Sequence, residues 1–183
     1  YSYQNGFYYV PRIDKNILLE NKKNLIVLGG SLSGPISQIL LEKGESEARK
    51  EIQWWHSNFK DDFYLEINKH AVSDEEFVNS HLIKFSKEFQ IKLIATNNVF
   101  YTKSEDATAH DILLCVKDGE LQQTPIGKGR GYRYGMENDQ YYFKSTHEML
   151  NIFCEIPEAI SNTNEVVNKI DAYKLKREVD LPS

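Results

Sequence analysis

Polar side chains follow a buried strand in the stretch IKLIATNNVFYTKSEDATAHDILLC, which covers residues 91–115. Residues 91–96 form an apolar run typical of a strand, and Asn97, Asn98 and Phe100 come directly after it. In open α/β folds, ligands and metal ions usually lie at the carboxyl ends of the strands. The position therefore predicts one of three things: a working site, a site that has lost its chemistry, or an ordinary turn.

Other titratable side chains could also take part in chemistry. His110 lies on the helix predicted after this turn and could be a ligand or a general base, although a hydrogen bond to the turn is the simpler interpretation. Glu66 and Asp62 could pair as acid and base, but strand alternation places Glu66 opposite the apolar face and favours a solvated or salt-bridged carboxylate. The other histidines suggest no shared site: His56, His70, His81 and His147.

A glycine-rich loop, DGELQQTPIGKGRGYRYG, covers residues 118–135 and becomes basic towards its end. Its part at residues 122–135 contains three cations, which we regard as candidate DNA contacts, namely Lys128, Arg130 and Arg133. Tyr132 and Tyr134 lie beside them in sequence and could stack on bases. The alternative is a surface loop with ordinary charges.

Length and composition indicate a single globular domain, because 183 residues with 40% hydrophobic and 27% charged side chains can form a proper core. The net charge of −5 argues against a free-standing nucleic-acid-binding protein, which would normally have a basic face. No apolar run approaches the ~20 residues of a membrane span. The start at Tyr1 has no signal-peptide pattern, and we expect a segment of a longer or processed protein. Cys115 and Cys154 lack CxxC spacing, which favours reduced thiols in a cytoplasmic protein over a disulfide or metal role.

The remaining pattern predicts alternating strands and helices, which is typical of parallel βαβ units. Strands are predicted at residues 25–30, 62–68 and 91–96. Helices are predicted at residues 33–44, 45–59, 73–89 and 104–118, and from Ser145 and Pro157 onwards. Closed barrels of this type need about seven or eight strands. The sheet is therefore either open or part of a barrel whose other strands are missing.

Local signals refine these helices. Serine caps are expected at the helix of residues 33–44 and, as capping boxes, at Ser73 with Glu76 and at Ser145 with Glu148. Two apolar stripes at helical spacing are expected to face the core, one made of Phe77, Leu82, Phe85 and Phe89 and the other of Ala109, Ile112, Leu113 and Val116.

Seven blocks of the sequence, read in order, carry a family resemblance: GFYYVPRIDKNIL, LIVLGGSLSG, FYLEI, IATNNVFY, EDATAHDILLCV, YYFKSTHEM and IPEAISNTNEV. Together they resemble the polymerase-and-histidinol-phosphatase (PHP) domain of bacterial DNA polymerase III alpha subunits. The resemblance implies an α/β fold, part of a distorted seven-stranded (β/α) barrel with parallel strands and helices outside. Its centre can hold up to three metal ions.

The ligand positions of the family pattern are altered here. The opening His-x-His block is absent from this sequence, and Ser31, Asn98 and Phe100 stand where the family usually has cysteine, aspartate and histidine. Hydroxyl and amide groups are poor ligands for transition metals, and a phenyl ring cannot bind one. We therefore expect a degenerate site with no bound metal, where a phenyl ring in the former cavity could help packing.

The resemblance also implies a function. Residues 1–170 would be a partial PHP-type domain and residues 171–183 a linker towards a polymerase core. The segment would be a non-catalytic scaffold in the catalytic subunit of a replicative DNA polymerase, with Mg²⁺ bound only in the parent's polymerase site. Its partners would be the rest of the chain, a proofreading exonuclease subunit and, through the parent, DNA. The alternative is a free-standing metal-dependent phosphoesterase of the PHP superfamily.

Overall fold

The computed structural model describes residues 3–172, so most of the predicted linker lies outside the described residues. Three parallel strands form the central sheet in the order β3-β4-β5, and a short antiparallel hairpin, β1-β2, precedes them. The strands are β1 Phe7–Tyr8, β2 Val10–Pro11, β3 Val27–Leu28, β4 Phe63–Ile67 and β5 Leu93–Ala95. The prediction of a parallel α/β fold is confirmed.

Seven α-helices connect and cover the strands within the described residues: α1 Lys15–Glu20, α2 Pro35–Lys43, α3 Glu45–Phe59, α4 Ser73–Phe89, α5 Ala107–Asp118, α6 Thr146–Ile152 and α7 Pro157–Asn168. Short 3-10 turns precede β4 and α5, at Lys60–Asp62 and Ser104–Asp106. No helix among residues 3–172 is long and apolar enough to cross a lipid bilayer.

The middle strand, β4, is covered on both faces. Phe63, Leu65 and Ile67 are buried on one side, and Tyr64 is equally buried on the other. The Tyr64 hydroxyl donates a hydrogen bond of 2.7 Å to Glu165 of α7. The apolar face of β4 and the less buried position of Glu66 agree with the predicted alternation, and the burial of Tyr64 shows that helices cover both faces of this parallel sheet.

The helix pair α2-α3 has no linker, because Gly44 ends one helix and begins the next. Its φ of +82° lies in the region that glycine adopts without strain. Both tryptophans of the chain lie on α3, where Trp55 stacks on Phe63 of β4 at 6.2 Å and packs edge-on against Trp54 at 4.8 Å. The packing of α3 on β4 thus forms a large aromatic part of the core.

Helix caps differ from the predictions at two of three places. Gly34, not a serine, is the N-cap of α2, and Val72 is the N-cap of α4, so the box predicted at Ser73 does not form. Ser145 does cap α6, and its backbone and side chain exchange hydrogen bonds with Glu148 as predicted. At α4 the first-turn carboxylate that makes a long-range bond is Glu75, which turns back towards His70.

The predicted apolar stripe of α5 points outward rather than into the core. Ile112, Leu113 and Val116 are 47%, 65% and 74% exposed, and the buried position of the helix is Cys115. Phe77 of α4 is also about half exposed, whereas Leu82 and Phe85 are buried as expected. Helical spacing detects an apolar stripe but does not say what covers it.

Candidate functional site

A polar cluster lies at the carboxyl ends of β4 and β5, with His70 at its centre. The His70 side chain is fully buried, and its Nδ1 lies 2.7 Å from an oxygen of Glu75. The second oxygen of Glu75 accepts the backbone N–H of His70 at 2.6 Å. Nε2 faces the Asn97 side-chain oxygen at 3.1 Å and the backbone N–H of Asn98 at 3.2 Å.

These partners define what each ring nitrogen of His70 donates or accepts. In the neutral ring, Nδ1–H donates to Glu75 and Nε2 accepts from the Asn98 N–H. In the doubly protonated ring, Nε2–H donates instead to the Asn97 oxygen. Asn97 is held in place because its amide nitrogen donates to the Tyr142 carbonyl at 2.9 Å. In either form both ring nitrogens of His70 face protein groups.

Amide side chains join the carboxyl ends of β4 and β5 next to His70. The Asn68 amide donates to the carbonyl and hydroxyl oxygens of Thr96 at 3.0 and 2.6 Å. The Thr96 hydroxyl in turn donates to Glu66, and the Asn79 amide donates to the Asn68 carbonyl at 2.6 Å. The cluster therefore ties β4, β5 and α4 together through hydrogen bonds.

The Tyr141 ring covers one face of the His70 imidazole. The two rings stack with centroids 4.5 Å apart and planes only 6° from parallel. Desolvation raises the pKa of Tyr141 to about 12, so its hydroxyl stays protonated at neutral pH. Desolvation also lowers the pKa of Lys144, whose ammonium lies 3.5 Å from the Asn97 oxygen and donates to the Gln140 carbonyl.

A small internal cavity of about 10 Å³ lies beside this cluster, between Ser31, Ser37, Glu66 and Asn68, among others. The Ser37 hydroxyl and the Asn68 side-chain oxygen are buried without a hydrogen-bond partner. The space suits about one water molecule, which needs roughly 10–15 Å³. It is far too small for a cluster of metal ions, and the two carboxylates that line it, Glu66 and Glu75, are bonded to Thr96 and His70. Across residues 3–172, no three His, Cys, Asp or Glu side chains form a group that could hold a metal ion.

The degenerate positions predicted from the sequence do not share one place. Ser31 lines the cavity, whereas Asn98 contributes its backbone N–H to His70. Phe100 is half exposed and lies against His110 at 5.6 Å and Tyr141 at 5.9 Å. The phenyl ring therefore lies at the surface rather than inside a cavity.

Sequence reasoning missed the residues at the centre of the cluster. His70 and Glu75 were not recognised as partners, although five positions separate them across a strand-to-helix turn. Asn97 was a predicted candidate, but its contact with His70 spans 27 positions and that of Tyr141 spans 71, separations that no local pattern reports. The available signal was the polar run NKHAVSDEE directly after β4.

The basic loop follows α5 and is organised by Arg133. Its guanidinium is buried and binds both carboxylate oxygens of Asp111 on α5, at 2.6 and 2.9 Å. The hydrogen bond from Arg133 holds the pKa of Asp111 below its usual range. Lys128 and Arg130, the other two candidate DNA contacts, are exposed.

Comparison with known proteins identifies relatives over nearly the whole chain. Residues 1–70 match the family model of the PHP domain. The sequence is 38% identical to DNA polymerase III subunit alpha of Borreliella burgdorferi over 95% of this chain, and 38% identical to that of Helicobacter pylori over 92%. That of Treponema pallidum is 30% identical over 92%. The chain spans only 15%, 14% and 14% of the lengths of these relatives.

Proposed function

Since the chain belongs to the DNA polymerase III alpha subunit family and carries part of its PHP domain, we propose that it is a non-catalytic scaffold within a replicative DNA polymerase. The observation that carries the proposal is the similarity over 95% of the chain to a polymerase subunit about six times as long. The parent would synthesise DNA on a template, with Mg²⁺ in a polymerase site outside this segment.

The scaffold role is supported by the chemistry of the altered positions. Ser31 and Asn98 offer neutral oxygens, and Phe100 offers no donor. The one buried histidine of the strand-end cluster, His70, is already engaged by Glu75 and the Asn97–Asn98 turn. A metal-activated water would need open coordination positions, whereas the carboxylates of Glu66 and Glu75 are bonded to Thr96 and His70, so we assign no hydrolytic step to this site.

We further propose that the remaining parent chain completes the sheet. A seven-stranded PHP-type barrel would add strands beside β3 and β5, whose outer edges would otherwise leave backbone groups unpaired. Residues 1–170 would be the partial PHP-type domain, and residues 171–183 would lead towards the polymerase core. A proofreading exonuclease subunit is the proposed protein partner, docked on the scaffold.

The test uses the full parent polymerase, purified without chelator and dialysed. We expect primer extension to persist in Glu66→Gln and Ser31→Ala variants, and we expect no stoichiometric zinc, manganese or iron that these variants lose. Phosphomonoester hydrolysis should be absent. Stoichiometric metal that disappears on Ser31→Ala, or metal-stimulated hydrolysis that falls on Glu66→Gln, would overturn the scaffold proposal and favour a phosphoesterase.

A further inference from the structure

The basic loop is closed on itself by a parallel backbone bridge between Ile126 and Arg133. The Arg133 N–H donates to the Pro125 carbonyl at 2.9 Å, and the Gly127 N–H donates to the Arg133 carbonyl at 3.1 Å. Gly129 and Gly131 turn the tip with φ values of +92° and +88°, which glycine adopts without strain. The tip residues are therefore presented in a defined arrangement.

Arg133 anchors this loop to α5. Besides its two bonds to Asp111, its guanidinium donates to the carbonyl oxygens of Thr124 at 2.9 Å and Gln122 at 3.2 Å. Its side chain is only 4% exposed. A guanidinium so placed has its donors committed to protein oxygens, so it is not free to bind a phosphate.

The tip itself is cationic and open. Lys128 and Arg130 are exposed, and no carboxylate in the described part of the chain lies within ion-pair distance of either. The ring of Tyr132 rests on Gly127, where a Cβ would come within 2.5 Å of it, yet the side chain remains 52% exposed. Two cations and an exposed aromatic ring thus occur together at the tip of one short loop.

We infer that this tip is a contact for single-stranded DNA, in which Lys128 and Arg130 meet phosphates and Tyr132 stacks on a base, and that Arg133 is a positioning residue rather than a contact. The inference rests on the proposed polymerase function, which supplies the DNA. An exposed aromatic ring beside cations favours a single strand over a duplex, because unpaired bases offer their faces for stacking. Phosphate contacts from two cations make the binding salt-dependent.

One substitution separates the two roles of Arg133 by the sign of its effect. Asp111→Asn removes a negative charge and the partner of Arg133. If Arg133 contacted DNA directly, the change would free it and strengthen binding. If Arg133 positions the loop, the same change loosens the loop and weakens binding, against the electrostatic trend.

The experiment measures binding of the full parent chain to an oligothymidylate of about 16 nucleotides, a length within the range that single-strand-binding domains cover, by fluorescence anisotropy at several salt concentrations. Each phosphate contact to a single strand contributes about 0.7 to the slope of log K against log salt. We therefore expect the Lys128→Ala/Arg130→Ala variant to lower the slope by about 1.4. The matched control is Lys43→Ala/Lys87→Ala, two exposed lysines on other helices, which should leave the slope unchanged.

The remaining variants complete the test. We expect several-fold weaker binding for Tyr132→Ala and Asp111→Asn, with recovery in Asp111→Glu, while the melting temperature of Asp111→Asn shows that the chain stays folded. An unchanged slope in the double variant, stronger binding in Asp111→Asn, or equal effects on a duplex would overturn the inference. Primer extension by the same preparations keeps the two proposals apart, because a wild-type chain that does not extend primers refutes the polymerase assignment and leaves the binding result readable.

Discussion

Two acid–base pairs occupy comparable positions in the chain and do different work. His70 and Glu75 join a strand end to the start of α4, and Asp111 and Arg133 join α5 to the loop that follows it. The first pair is buried among other hydrogen-bonded groups, with side chains 0% and 7% exposed. The second pair is less buried, because the Asp111 side chain is 21% exposed although that of Arg133 is only 4% exposed.

The comparison separates an element that holds the fold from one that presents a surface. Groups around His70 come from β4, β5, α4 and the segment before α6, so loss of one partner leaves the others buried without bonds. Groups around Arg133 come only from α5 and its own loop. The sequence pattern made the second place look chemically richer, although the first contributes more to the fold.

The largest expected effect tests the buried pair. Glu75→Gln should lower the free energy of unfolding by about 1–3 kcal/mol, because the amide nitrogen that replaces one carboxylate oxygen cannot accept a hydrogen bond and leaves one donor of His70 buried without a partner. Denaturant unfolding measures the change. Glu76→Gln, one residue along the same helix turn but exposed, is the control and should change stability little. Equal effects of the two substitutions would erase the distinction drawn between the two pairs.

The surface pair should respond locally. Asp111→Ala should leave global unfolding much less affected than Glu75→Gln does, while amide hydrogen exchange becomes faster in residues 122–135. Exchange measured by mass spectrometry resolves that segment from the sheet. Asp118→Ala, at the end of the same helix, is the matched control. Faster exchange in β4 and β5 after the Asp111 substitution would show that the loop and the sheet unfold as one unit.

The exposed stripe of α5 gives a third test on the surface side. We expect the 183-residue chain by itself to associate with rising concentration, because exposed apolar stripes and unpaired strand edges recruit other chains. Val116→Glu should reduce this association. Phe77→Glu on α4, at an exposed apolar side chain outside the α5 stripe, is the control and should reduce it less. Light scattering across a dilution series measures it. A monomer at every concentration would count against the partial-barrel proposal.

The smallest effect concerns a carboxylate outside both pairs. Hydrogen bonds from Tyr142 and Ser145 lower the pKa of Glu148 from 4.5 to about 2. Because the folded value is the lower one, the stabilisation is present above pH 4.5 and is lost as the pH falls towards about 2. Tyr142→Phe should raise the Glu148 pKa towards its ordinary value, as followed by NMR titration, whereas Tyr134→Phe should not. An unchanged pKa would remove Tyr142 as its cause.

Local signals predicted much of the fold. Helix α3 begins and ends where predicted, β4 lies within its predicted bounds, and the Ser145–Glu148 capping box forms. These features depend on neighbours within a few positions, which a sequence displays directly. The parallel order of the strands follows from their alternation with helices.

The failures have a common physical origin in distant partners. The Ser73 box does not form, and Glu75 instead binds His70, which a neighbouring sequence motif cannot foresee. Arg133 was grouped with two exposed cations because the sequence does not show that Asp111 lies opposite it. The outward stripe of α5 likewise depends on what surrounds the helix, not on its own spacing.

Both tryptophans lie on α3, so the tryptophan fluorescence of the protein comes from one region of the fold. Trp54 and Trp55 lie against the aromatic packing between α3 and β4, so intrinsic indole emission reports on that packing. The basic loop contains tyrosines but no tryptophan. Unfolding of the sheet would therefore change the emission strongly, while opening of the loop would leave the emission almost unchanged. A Tyr132→Trp substitution would add an indole to the loop, so that its opening could be followed as well.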